Sequence, residues 1–210
     1  MRHIYTLSII FLLNAYFAII NTSNAEFASP TSFYANSKVI VEPDVFKLYW
    51  NYTKTFITAE IHVKTSTGWI GFGISPNGGM DGSDVIIFFM ENGVANFTDR
   101  HIKKREVLVD KSQDWKLISH SISNGYTIVK FTRDLNTCDE NEDMVIEEGT
   151  PRIIYAWNDN TPKNGVIVYH GTRNRGTSAV QLISALNQQQ STIRPEDKII
   201  NHEFTVNVNN

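Results

Sequence analysis

GWIGFGISPNGGMDGSD, residues 68–84, is the stretch from which the rest of this chain can be read. Trp69, Ile70, Phe72 and Ile74 are large, and Gly71 and Gly73 between them carry no side chain. Glycine inside a strand marks a bulge or a close approach of backbone. Pro76-Asn77-Gly78-Gly79 then forms a loop that reaches positive φ at low cost. On that loop stands Met80, between glycines and acids. A thioether is a soft ligand, which raises a metal or haem centre as one reading; cover for an apolar rim is the other.

Outward from this stretch the chain reads as β throughout. Phe56–Thr65 alternates, with Ile57, Ala59, Ile61 and Val63 on one face and Thr58, Glu60, His62 and Lys64 on the other, predicting a half-buried strand with His62 solvated. Val85–Met90 is a continuous apolar run, predicting a strand covered on both faces. Asn92-Gly93 and Asn124-Gly125 predict tight hairpins. Around the second, Ile122 is expected opposite Thr127, His120 opposite Val129 and Ile118 opposite Phe131, which places His120 in the middle of an apolar face. Further strands are expected at Ile153–Trp157 and Val180–Ser184, and one more at Glu203–Val208 after the polar tract Asn187–Gln190. Many short antiparallel strands at this spacing predict a β-sandwich.

The N-terminus has the layout of a secretory signal: Arg2 and His3, the apolar run Ile4–Ile20, then Ser23-Asn24-Ala25 with small residues before a cut. The run approaches the length of a membrane span, so a retained anchor is the alternative; cleavage leaves no stable span and a secreted, extracellular protein. The expected layout is a signal at 1–25, a lead-in at 26–38, one domain at 39–186 and a tail at 187–210. Net charge is −3 with no basic stripe, which argues against nucleic acid. The single cysteine, Cys138, excludes an intrachain disulfide framework and is either buried, free or bonded to another chain. Asn51-Tyr52-Thr53 and Asn96-Phe97-Thr98 are glycosylation sequons, making Asn51 and Asn96 acceptors in a secreted glycoprotein.

No nucleophile elbow, zincin, zinc-knuckle or phosphate-loop pattern occurs, and the histidines are too sparse to build a copper centre. Met80 and His170 are the pair to single out. His170 lies in a second glycine-bearing loop, Tyr169–Thr177, and the two loops at one end of a sandwich suit axial ligation of haem iron. Arg173 and Arg175 are near enough to meet haem propionates. His170 reads equally as a loop histidine bonded to backbone. His120, placed inside by the register, is a satisfied core histidine or a weak alternative metal ligand. Asp139–Glu148 is expected to be a solvated acidic loop, and its spacing is not that of a calcium loop.

These motifs together resemble a DOMON domain, most nearly the N-terminal module of the dopamine β-hydroxylase and monooxygenase-like (copper type II) family. The resembling residues are Trp50-Asn51-Tyr52, Gly68–Ser75 with Met80-x-Gly82-Ser83-Asp84, Phe131–Leu135 with Thr137-Cys138-Asp139, Arg152–Trp157, and Tyr169-His170 followed by Arg175-Gly176. The resemblance implies an immunoglobulin-like antiparallel β-sandwich of roughly ten strands. It also implies haem b or sugar as ligand, with Met80 and His170 at the positions of the axial ligands in cytochrome members. The family's hydroxylases continue into two copper-binding catalytic domains, and this sequence stops at Asn210, so no catalytic activity of its own is expected.

In longer relatives a cysteine in the Thr-Cys-Asp context suits a tether to the catalytic part, which gives Cys138 a place as an intermolecular thiol. The expectation is therefore a non-catalytic module that binds haem and passes electrons to an extracellular redox partner. The alternative is a carbohydrate- or protein-binding module, including a partner of a separate copper hydroxylase, with Trp69, Tyr155 and Trp157 as stacking surfaces and Trp69 and Trp157 weighed also as core.

Overall fold

The computed structural model describes residues 27–149 and 152–184. The signal segment, His202, the 187–210 tail and the strand expected at Glu203–Val208 lie outside the described residues. Among the described residues, eleven strands form two antiparallel sheets: β1 (Asn36–Val41), β2 (Phe46–Tyr52), β3 (Phe56–Val63), β4 (Trp69–Ser75), β5 (Asp84–Glu91), β6 (Val94–Lys103), β7 (Glu106–Val109), β8 (Lys116–Ser123), β9 (Tyr126–Asp134), β10 (Arg152–Asn158) and β11 (Arg175–Ala179). One sheet has the order β1-β2-β3-β9-β8, the other β11-β10-β4-β5-β6-β7. The all-β sandwich expected from the sequence is the observed fold. No helix among the described residues is long and apolar enough to cross a membrane.

Alternation explains the core. Leu48 and Trp50 of β2, Ile57, Ala59 and Ile61 of β3, Ile70, Phe72 and Ile74 of β4, and Val129 and Phe131 of β9 meet between the sheets. Each such large apolar side chain contributes about 1.5–3 kcal/mol on burial. β4 is buried along its whole length, because its other face, Trp69, Gly71 and Gly73, is also covered. A Cβ on Gly73 would lie 2.2 Å from the Asp84 carbonyl oxygen, so the close β4–β5 approach requires glycine there.

Both Asn-Gly pairs form the expected hairpins, with φ of 53° and 79° at Asn92-Gly93 and 52° and 79° at Asn124-Gly125. The β8–β9 register starts as expected, Ile122 opposite Thr127 and His120 opposite Val129, but shifts between Leu117 and Ser119, so Leu117 rather than Ile118 opposes Phe131. The irregularity leaves Ile118 exposed.

Four local expectations are corrected. His120 shares the inward face and meets the Phe88 ring at 5.4 Å between centroids, yet it is exposed because β8 is an edge strand. His62 is fully buried rather than solvated, since residues 31–34 cover its face: the Thr31 amide and hydroxyl and the Tyr34 hydroxyl donate to Glu60, whose carboxylate also meets His62 Nε2 at 2.7 Å. Val180–Ser184 is not a strand. β11 lies earlier, at Arg175–Ala179, and the apolar run after it is buried as irregular chain, with Trp50 Nε1 donating to the Leu182 carbonyl. Burial without a ladder gives the same apolar signature as a strand. The Asp139–Glu148 loop is only partly solvated, for Ile146 is buried and Met144 packs on the core.

Candidate functional site

The outer face of the six-stranded sheet carries a cavity of about 280 Å³. Its floor is β4, β5 and β10, where Trp69, Gly71, Val85, Ile87, Ile154 and Ala156 point away from the core. Gly71 leaves the floor open: a Cβ there would stand 3.0 Å from Ile87 Cδ1 and 3.2 Å from the Trp69 ring. Two loops close the sides, one bringing Met80 and the other bringing Ile167 and His170. The pair singled out in the sequence thus lines one cavity, placed on a sheet face rather than at an end of the sandwich.

The Met80 loop is held by hydroxyls. Buried Ser75 and Ser83 both donate to the Gly79 carbonyl, at 2.7 and 2.8 Å, and Ser75 Oγ accepts from the Gly78 amide at 2.9 Å. Gly78 and Gly82 sit at φ of 85° and 76°, where a Cβ would be strained. Met80 itself is half-buried.

The His170 loop is pinned from below. Trp69 Nε1 donates to the Val168 carbonyl at 2.9 Å, and Asn158 Nδ2 donates to the Tyr169 carbonyl at 2.8 Å. His170 is 9% exposed, with its Nδ1 2.7 Å from the Gly171 carbonyl oxygen. A carbonyl only accepts, so Nδ1 carries a proton, and Nε2 is the nitrogen that can offer a lone pair in the neutral tautomer. The site therefore offers a thioether sulfur and an imidazole nitrogen in apolar surroundings, a donor set that suits haem iron. Arg175 lines the cavity, whereas Arg173 is exposed and outside the lining. Trp69 and Trp157 are buried and Tyr155 is half-buried, so these three do not make an exposed stacking platform.

A second polar cluster lies inside the sandwich, and sequence reasoning missed it. Asp84 Oδ2 accepts from Arg133 Nη1 and from the Met144 amide, and Asp84 Oδ1 accepts from Trp115 Nε1 at 3.0 Å. The Arg133 guanidinium lies 4.9 Å from the Trp115 ring centroid, and its Nη2 donates to the Met144 carbonyl. Asp99 Oδ2 accepts from the Asp114 and Trp115 amides at 2.9 and 3.0 Å. Burial, reinforced by the charge of Asp84, pushes the Asp99 carboxyl up to about 8, and burial pushes Asp143 up to about 6. Charged residues at inward strand positions were the available signal. His101, without context in the sequence, meets Asp110 Oδ1 through Nδ1 at 2.5 Å.

The remaining expected residues stand apart from the cavity. Asn51 is engaged through both amide atoms, Nδ2 donating to the Phe33 carbonyl and Oδ1 accepting from the Ala35 amide. Asn96 donates to the nearby Val94 carbonyl at 3.2 Å. Cys138 is an exposed free thiol at φ 62°, its amide held by Asn136 Oδ1, which excludes the buried alternative.

The DOMON domain family matches residues 42–158. Among curated proteins, MOXD1 homolog 2 of Drosophila melanogaster is 35% identical over 127 residues, covering 59% of this chain and 17% of that protein. DBH-like monooxygenase protein 1 of Gallus gallus is 31% identical over 163 residues, covering 77% of this chain and 26% of that protein. This chain thus spans a minor part of either relative. Among solved structures, the cytochrome domain of Myriococcum thermophilum cellobiose dehydrogenase matches with a TM-score of 0.51 at 12% identity, over 66% of this chain and 75% of that domain, a likeness of fold.

Proposed function

The chain belongs to the DOMON domain family, and on that premise we propose that it is a secreted, non-catalytic ligand-binding module that holds b-type haem between Met80 and His170 for extracellular electron transfer. The observation that carries this reading is the state of His170. Its Nδ1–H donates to the Gly171 carbonyl, which leaves Nε2 as the nitrogen for ligation on a residue that lines the same cavity as Met80. The structural neighbour is by name a cytochrome domain, in keeping with this use of the fold.

Each residue has a part. The serine-braced loop presents Met80, Trp69 and Asn158 fix the His170 loop, and the apolar floor excludes water. Arg175 is placed at the wall to meet a propionate, with Arg173 exposed on the same segment as a second cation. Bound haem supplies one-electron chemistry, and thioether–imidazole ligation favours a comparatively high reduction potential. A carbohydrate reading draws less support, because Trp69 and Trp157 are buried. Secretion rests on the signal-like apolar N-terminus and the two sequons.

The test is expression of the full chain in a secreting host supplied with haem, with visible spectra of the oxidised and reduced protein. A Soret band with sharp low-spin α and β bands on reduction, lost in Met80→Ala and His170→Ala, is the expected result. A folded, colourless protein that also fails to take up added haemin overturns it. Mass spectrometry of the secreted chain before and after glycosidase checks the export reading, with Asn96 the acceptor expected to carry sugar.

A further inference from the structure

On the other side of the six-stranded sheet from the cavity, a second set of donors converges. Ile102 of β6 lines the cavity, and its neighbour His101 projects to the opposite face, as strand alternation requires. There, one ligand atom each from His101, Asp110 and Glu142 lies within 4.8 Å of the others. His101 is on β6, Asp110 follows β7, and Glu142 is on the acidic loop after β9. Three separate segments therefore contribute, and the group is not a local run of acids.

Asp110 makes this group more than an ion pair. Its side chain is 1% exposed, and only Oδ1 has a donor, His101 Nδ1 at 2.5 Å. Among the described residues, Asp110 Oδ2 is buried without a hydrogen-bond partner. A buried carboxylate oxygen left unpaired is costly, and native structures rarely keep one without a compensating ion or water. The second carboxylate, Glu142, is brought alongside and held there through Oε2, which accepts from the Lys111 amide at 2.8 Å. The Asp110 backbone is fixed in turn, its amide donating to the Asp99 carbonyl at 3.1 Å. His101 keeps 19% of its side chain exposed, which gives an ion a way in.

We propose that His101, Asp110 and Glu142 form a binding site for a divalent transition-metal ion, of which zinc is the probe. One imidazole nitrogen and two carboxylate oxygens make a borderline donor set, suited to zinc rather than to calcium, which takes six to eight oxygens. Three protein ligands leave a position for water. The ion takes the place of the proton between His101 Nδ1 and Asp110 Oδ1, and that proton passes to solvent.

The test is calorimetric titration of the full, tag-free, chelator-treated chain with zinc chloride, followed by thermal melts with and without zinc. One ion per chain is expected, with a higher melting temperature in zinc. His101→Ala and the surface change Glu142→Gln should each weaken binding by about tenfold or more and reduce the zinc-dependent shift. Glu142→Gln keeps an amide oxygen for Lys111, which guards against loss of fold as the explanation. Asp143→Asn, in the neighbouring buried cluster, should leave binding intact. Absence of binding by the wild-type chain overturns the proposal. So does binding that survives His101→Ala, or binding that only Asp143→Asn removes.

Discussion

The rings of Trp69 and His170 lie with centroids 6.4 Å apart, and the same indole donates to the Val168 carbonyl two residues before the histidine. One side chain of the sheet thereby positions both the backbone and the ring of a loop residue. Trp69→Phe keeps an aromatic floor but removes the donor and leaves the Val168 carbonyl without it. We expect a loss of about 1 kcal/mol in stability from the missing hydrogen bond, read by urea denaturation. Haem retention should fall further than stability does. Equal haem affinity in Trp69→Phe and wild type would refute the positioning role.

Two glycines of β4 give opposite predictions. Gly73→Ala drives a Cβ into the Asp84 backbone, which has no room to yield, so a loss of at least about 1–3 kcal/mol is expected in denaturant melts. Gly71→Val adds methyls beside the Ile87 and Trp69 side chains, which border the cavity. That change should leave a folded protein whose cavity no longer admits haemin, read by absorbance titration. A Gly71→Val protein that binds haemin normally would place the ligand elsewhere.

Arg133→Ala should be among the most damaging single changes in the chain. Arg133 and Asp84 are both fully buried and paired through Nη1 and Oδ2. Removing the guanidinium leaves an uncompensated buried carboxylate, for which about 3–5 kcal/mol is expected, with lost packing on Trp115 in addition. Asp84→Asn with Arg133→Met should recover part of that loss, and chemical denaturation of the single and double variants measures it.

Glu60 sets an acid limit. Burial pushes its carboxyl up, but hydrogen bonds from His62, Thr31 and Tyr34 together outweigh burial and hold it down at about 2. The unfolded chain has the ordinary glutamate value of about 4.3, so the stabilisation is fully present above that pH and fades as pH falls toward 2; a difference of about two units corresponds to roughly 3 kcal/mol. Melting temperatures from pH 7 to 2.5 should show wild type falling toward Glu60→Gln below about pH 4. A gap that stays constant on acidification would remove Glu60 as the cause.

Much of the fold was legible in the sequence wherever the physics is local. Period-two alternation around Ile57–Val63, the continuous run Val85–Met90, and the Asn-Gly pairs fixed strands and turns, because side-chain direction and φ > 0 are properties of a few adjacent residues. Met80 and His170 were legible as chemistry, since a thioether on a glycine loop and a histidine on another have recognisable types. What stayed hidden was decided at long range. His62 is buried by a segment some thirty residues earlier, and His120 is exposed because β8 is an edge strand among the described residues. Asp84, Asp99 and Arg133 meet only after three strands pack, and His101 finds Asp110 and Glu142 only when two loops close over β6. By itself the sequence determined which stretches extend, where they turn and which residue types are available for ligation. The tertiary structure alone decided which charges are buried together and which donors share a cavity, because both depend on contacts between segments that no local pattern encodes.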